Sequence, residues 1–481
     1  MQTARKILAI FLCLGLIICV FTSCKGGTDV SSSTGASSAV SSTVSSSASS
    51  STSSSAEESS KNSAVSSTLS TTSVADNKLK PNGTVNKGMN FTFEGGISFE
   101  VLSNYLDRAI TYGIYSEQDS VDGVLNKEMA EDAKRAILNV GAKHIARTIA
   151  CWLPSKREES AYPDIEKWMA DLHEIDPEII FEACIFETAP NTINTIEIPE
   201  WVFKAFGKTP KKRNFDVSMM LSLDNGGFNF WGINIHAPDI TREETQMWFY
   251  YRACRYIDMG FESLHIGQIH LVGRNDTNHE SYTKVIHMVR DYAKKNARRK
   301  YVLINGHYVS QNFVGTDGVM LADFNSFPLR LDVAPGEVDH AVSESNPQKC
   351  AIVFGSDARP LYSGEVKGIS PSGWYSDNYP YLVEFDNWAG KTGDNTKAQN
   401  IWGYDEISWF ANQPRWYRHQ FMADVTKQVV GLKNNGHVVL PGRRTTYVLS
   451  KDKQDYYVMN DSKYYKDGFS DELGIINAWK K

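Results

Sequence analysis

The chain is short of the features that announce most enzyme classes. Its seven cysteines contain no Cys-x-x-Cys pair, and there is no His-x-His or His-Glu-x-x-His, so the patterns of thiolate zinc sites and of barrel amidohydrolases or zinc peptidases are missing. Gly-x-Gly-x-x-Gly, Gly-x-x-x-x-Gly-Lys-Ser/Thr and Gly-x-Ser-x-Gly are also absent, which leaves nucleotide-binding and serine-hydrolase readings without support. The net charge of -6 lacks the basic excess that a nucleic-acid partner requires. No cofactor and no metal is expected.

Residues from Val30 to Val74 lack bulk: they are mostly Ser with Thr, Ala and Val, too little apolar surface to offset the entropy of ordering. Such a stretch is a tether, and roughly 45 flexible residues span on the order of 35 to 40 Å. Ahead of it, Arg5 and Lys6 precede an apolar run from Ile7 to Phe21, closed by Phe21-Thr22-Ser23-Cys24. This reads as a signal peptide with a lipobox in which Cys24 takes the lipid. Phe21 stands where such signals usually carry Leu; an uncleaved anchor or ordinary secretion is the other option. The expected place is a bacterial cell surface, lipid-anchored to the outer face of the membrane. The expected segments are a signal peptide over 1–24, a disordered tether over 25–78, one domain over 79–433 and a C-terminal extension over 434–481.

The body has ordinary globular composition, with 41% hydrophobic and 22% charged residues. Cys151, Cys184, Cys254 and Cys350 lie in or beside apolar runs and read as buried thiols. Helical spacing of three and four alternates with brief apolar runs. Expected strands are Met89–Phe93, 144–149, 178–187, 263–269, 301–305, 319–323, 351–354 and 381–385, with expected helices near 100–110, 127–140, 163–173 and 241–257. Eight strands separated by helices over this length predict an α/β fold, a single (β/α)8 TIM-like barrel with an insertion after the third strand. A doubly wound α/β sheet is the alternative. A helix over 404–432, broken at Pro414, is expected to close the barrel.

Catalytic side chains of such barrels come from the carboxyl ends of strands. In this strand count those positions hold Glu94, Trp152, Glu187, Gln268 and His270, Asn305 and His307, Asp323 and Asn325, Asp357, and Glu384, Asp386 and Trp388. Acids and amides with aromatic plates suit carbohydrate; Trp374, in a non-periodic segment, joins Trp152 and Trp388 as a candidate plate. Cleavage of a glycosidic bond needs two carboxyl groups, one protonated and one ionised, and Glu187 and Glu384 are the candidate pair. Asp386 shares a strand face with Glu384, and two adjacent carboxylates would raise one pKa. Glu182 has the opposite strand parity to Glu187, so only one of them is expected to point inward.

From Met89 to about Gly431 the pattern resembles the secreted (β/α)-barrel glycoside hydrolases. The resemblance implies a cell-surface enzyme that cleaves oligo- or polysaccharide with two carboxyl groups. Many retaining families place Asn-Glu after strand four and Glu after strand seven; in the count above those places hold Gly267-Gln268-Ile269-His270 and Gly355-Ser356-Asp357, so their assignments do not transfer. A non-catalytic carbohydrate-binding surface lipoprotein is the alternative function; as a transport receptor it would need two lobes and a hinge.

Overall fold

The structure is a computed structural model that describes residues 79–115, 127–224, 226–308, 313–329, 331–333, 350–352, 366–387, 405–448, 453–464 and 468–480. Cys24, Asp357 and Trp388 lie outside the described residues. No described helix is long and apolar enough to cross a membrane.

Eight parallel strands close on themselves: β1 (Ala109–Tyr112), β2 (His144–Ile149), β3 (Ile180–Cys184), β4 (Ser263–Gln268), β5 (Leu303–His307), β6 (Asn325–Pro328), β7 (Tyr381–Glu384) and β8 (Gly436–Val448). Ladders run β5-β4-β3-β2-β1-β8-β7-β6. The last seam, β5 to β6, is sewn by Asp323, whose N–H donates to the Ile304 carbonyl at 2.7 Å while its Oδ2 accepts from the Ile304 N–H at 2.8 Å. The fold is a (β/α)8 barrel. Helices α1 (Phe99–Leu106), α2 (Lys127–Val140), α3 (Lys156–Ile175), α4 (Glu243–Asp258), α5 (Glu280–Asn296), α6 (Glu406–Ala411), α7 (Arg415–Gly431) and α8 (Glu472–Ala478) accompany it. As expected, the long insertion follows β3, and Pro414 separates α6 from α7.

Two expected strands are corrected. Met89–Phe93 is not a strand: Phe91, Phe93 and Ile97 join Leu102, Tyr105 and Leu106 of α1 in a plug under the barrel, packed on the inward residues Ala109, Ala146, Ile180, Leu303, Leu382 and Val439. The true first strand is the four-residue β1, which lies at the end of what reads as one helix over 100–110. Of the run expected at 351–354, the described residues 351–352 are likewise outside the barrel, since Cys350–Ile352 pairs antiparallel with Leu331–Val333. In its place β8 completes the ring, flanked in parallel by β1 and β7. The barrel therefore extends past the boundary expected at 433, and β8 continues into a hairpin with β9 (Lys453–Val458). The sixth strand also begins at Asn325, not within 319–323.

The apolar floor gives way to a polar upper lumen. Glu182, Ser263, His265, Asn305, Ser326 and Glu384 are all buried and bonded within the barrel. Cys151, Cys184 and Cys254 are buried and outside any disulfide; the Cys350 side chain lies outside the described ones.

Candidate active site

Glu384 ends β7 and Arg147 lies in β2, with β1 and β8 between them around the ring, so their contact spans the lumen. Arg147 grips Glu384 with two nitrogens, Nη2 to Oε1 and Nε to Oε2 at 3.0 Å. Alternation would turn Arg147 outward, because Ala146 already faces the lumen. A left-handed φ of 59° at Arg147 breaks the alternation, and the β2–β3 register shifts there. Arg147 also donates to Cys184 Sγ at 3.3 Å. His307 Nε2 lies 3.5 Å and Arg444 Nη1 3.8 Å from the Glu384 carboxylate. Burial alone would raise the Glu384 pKa, but Arg147, then Arg444 and His307, hold it well below the usual carboxylate range. The pKa increase expected for one carboxyl of the Glu384 and Asp386 pair is not found at Glu384. Arg444 stands between the two acids, its Nη2 3.6 Å from Asp386.

Glu187 follows β3 in a short loop, where strand parity no longer applies, and both Glu182 and Glu187 are buried. Gln268 holds its carboxyl group, donating from its main-chain N–H to Oε2 and from Nε2 to Oε1, each at 3.0 Å. This approach requires Gly267: with φ of 66°, a Cβ there would sit 2.1 Å from Glu187 Oε2. Burial lifts the Glu187 pKa above the usual range, more than its main-chain hydrogen bonds and the charges of His307 and Arg147 lower it. The two carboxyl groups thus respond to the same Arg147 and His307, but their pKa values move in opposite directions.

Below them, Glu182 accepts from Asn305 Nδ2 at 2.6 Å and from Ser263 Oγ at 3.1 Å. Burial opposes its charge, yet His144 and Arg147 bring its pKa down to about 2. An ionised Glu182 can only accept, so Asn305 turns its NH2 to Glu182 and its oxygen to His265 Nδ1 at 2.8 Å. Ser326 Oγ donates to the same oxygen at 3.0 Å.

The rim also holds Trp152, half-buried against Phe186 and Trp231, and His270, exposed on the turn after β4 beside His307. The structure therefore brings together Glu187, Glu384, Asp386, Trp152, Gln268, His270, Asn305 and His307. Four candidates are elsewhere. Glu94 is exposed with Lys300 at 2.5 Å, next to Gly95, which bonds Arg299 below the barrel. Trp374 donates to the Ile97 carbonyl of the plug at 3.0 Å. Asp323 is bound to Arg290 of α5 at 3.0 Å in the barrel wall. Asn325 alternates with the inward Phe324 and Ser326, and caps the Tyr308 carbonyl at 3.0 Å. The misplaced first strand accounts for Glu94, and the late start of β6 for Asp323 and Asn325.

Arg147, Arg444, His265 and Ser326 were missed. For Arg147 the signal was a lone Arg inside the strand run His144–Ile149. Among the described residues, no group of three His, Cys, Asp or Glu could hold a metal ion.

No protein-family model matches the chain, and no curated protein matches it by sequence. Among solved structures it is similar to an arabinose-bound GH27 β-L-arabinopyranosidase from Geobacillus stearothermophilus, at 10% identity over 78% of each chain and a TM-score of 0.35. Amy13B of Eubacterium rectale matches at 11% identity over 84% of this chain and 82% of that one, with a TM-score of 0.36. Another GH27 structure from Geobacillus stearothermophilus matches at 12% identity and a TM-score of 0.27; this chain covers about half of its length, 54%. These neighbours are glycoside hydrolases, the likeness is distant, and no specific family is identified; the barrel assignment rests on the chain's own strand order.

Proposed function

We propose that the chain is a glycoside hydrolase acting on oligo- or polysaccharide, with Glu187 as acid and Glu384 as the ionised partner. The observation that carries the reading is the opposite setting of these two buried carboxyl groups around Arg147 and His307. As the bond between the anomeric carbon and the leaving oxygen breaks, Glu187 gives that oxygen its proton and the charge of Glu384 faces the electron-poor carbon. Water supplies the oxygen that ends on the carbon. The anomer formed first, read by proton NMR, tells whether Glu384 attacks the carbon itself or takes the proton of the attacking water.

The test is release of reducing sugar from a glycan panel by wild type, Glu187→Gln and Glu384→Gln. Each variant should lose at least the roughly 100-fold that a positioned proton transfer contributes. Wild-type cleavage that survives both substitutions sinks the assignment.

One observation favours a second reading, a non-catalytic carbohydrate-binding protein: Arg147 already engages both Glu384 oxygens. Glycan binding without cleavage by wild type would select it. The proposed location is the bacterial cell surface, through lipid on Cys24 and the Ser-rich tether. Cys24→Ala should leave precursor or shed the protein, and wild type found in the medium with an unmodified N-terminus would remove the anchor.

A further inference from the structure

We infer that the loop after β2 and the insertion after β3 build the leaving-group subsite, with Trp152 and Trp231 as its plates for a second sugar ring or an aryl group. The inference rests on the acid role proposed for Glu187. An acid that protonates the leaving oxygen must lie beside the leaving group, so the surfaces flanking that acid are the ones the leaving group meets.

The Trp231 indole is tied to the main chain of Glu187, and the main chain of Trp152 to the side chain of Thr188, the residue after Glu187. Trp231 Nε1 donates to the Glu187 carbonyl at 3.2 Å, and Thr188 Oγ1 donates to the Trp152 carbonyl at 2.6 Å. The two rings meet edge to face, 5.2 Å apart at 73°, and both residues are half-buried. Phe186 continues the aromatic surface inward, 5.4 Å from Trp152 and under the Arg147 guanidinium at 5.7 Å. A path of rings therefore runs from the outside to the arginine that holds Glu384.

The arm that delivers Trp231 is built in advance. Ala189–Pro190 pairs antiparallel with Ile235–His236 at its base. His236 accepts from the Asn229 N–H at 2.9 Å and lies 3.1 Å from Asn191 Oδ1. Asn229 and Asn234 take the left-handed turns, at φ of 50° and 64°, where asparagine is tolerated. Arg274, beyond β4, donates to the Pro238 carbonyl at 3.0 Å and to Ser222 Oγ at 3.1 Å. Binding thus orders little new chain. Phe228 and Ile233, 58% and 84% exposed, extend the apolar surface along the arm. The C–H face of a sugar ring or an aryl ring suits such plates; a small alkyl leaving group does not.

The test compares one glycone on two leaving groups: the p-nitrophenyl glycoside and the glycosyl fluoride, drawn from glucose, galactose, xylose, arabinose and mannose. Fluoride departs without a proton from the acid and fills no ring-sized subsite. In Trp152→Ala and Trp231→Leu, KM for the aryl glycoside should rise about tenfold more than KM for the fluoride, the scale of one aromatic contact. Phe228→Ser, a change at a mostly exposed position, should show the same selectivity at about threefold. Equal shifts on both substrates, or none, would overturn the inference while leaving the hydrolase reading in place. A wild type that cleaves neither substrate overturns the hydrolase reading and this inference with it.

Discussion

Arg147 and Glu384 face each other across the barrel lumen from the second and seventh strands, with Arg147 Nε 3.0 Å from Glu384 Oε2 and both side chains buried. Removing one partner of a buried pair strands the other charge away from water. Arg147→Met should therefore cost about 3 to 5 kcal/mol of stability, measured by urea unfolding. It should also let the Glu384 pKa rise from its depressed value. A loss below about 1 kcal/mol, the range of exposed pairs, would show the bridge to be solvated.

The raised Glu187 pKa sets a pH signature. An acid catalyst works while protonated, so the rate should fall as pH rises through the folded value of Glu187. The same group binds more protons folded than unfolded. Its contribution to stability is complete below the unfolded value of about 4.3 and is lost as pH rises through the higher folded one. Rate–pH profiles and melting curves of wild type and Glu187→Gln should differ in that window, with the variant flatter in both. A rate that increases with pH there would assign Glu187 the opposite role.

Gly267→Ala tests whether close approach sets the acid. The added Cβ would fall 2.1 Å from Glu187 Oε2 on backbone at φ of 66°. The strain should cost about 1 to 3 kcal/mol, and displacement of Glu187 should reduce turnover nearly as far as Glu187→Gln does. Full activity in this variant would mean that Glu187 is not held by the contact.

His265 should be neutral, with its proton on Nδ1. Burial, then the charges of Arg147 and His307, keep its pKa well below the ordinary value, and Asn305 Oδ1 takes the Nδ1 proton because Glu182 claims the Asn305 amide nitrogen. Nitrogen-15 NMR of histidine-labelled protein reads the tautomer directly. A proton on Nε2 would reverse the Asn305 amide and contradict its bond to Glu182.

Much of the barrel was legible because its signals are local. Helix periodicity and the apolar runs at β2, β3, β4, β5 and β7 do not depend on what they pack against, and Glu187, Gln268, His307 and Glu384 follow from those strand ends. The misses at the first strand have two causes. Ala109–Tyr112 is too short to break a helical pattern, and Met89–Phe93 has strand composition but ends as a plug, since only a closed barrel has a floor to fill.

Amino-acid order by itself determined that strands and helices alternate and that acids, amides and indoles gather at strand ends. Order along one strand predicts that alternate residues share a face, which with Ala146 inward would turn Arg147 outward. Tertiary structure decided otherwise, through a left-handed residue in β2 that turns the guanidinium inward to a carboxylate 237 positions along the chain. Partner and direction of pKa shift are set by such long-range contacts. That is why the sequence named Glu187 and Glu384 as a pair, while only the packed barrel set one acid above the usual range and the other below it.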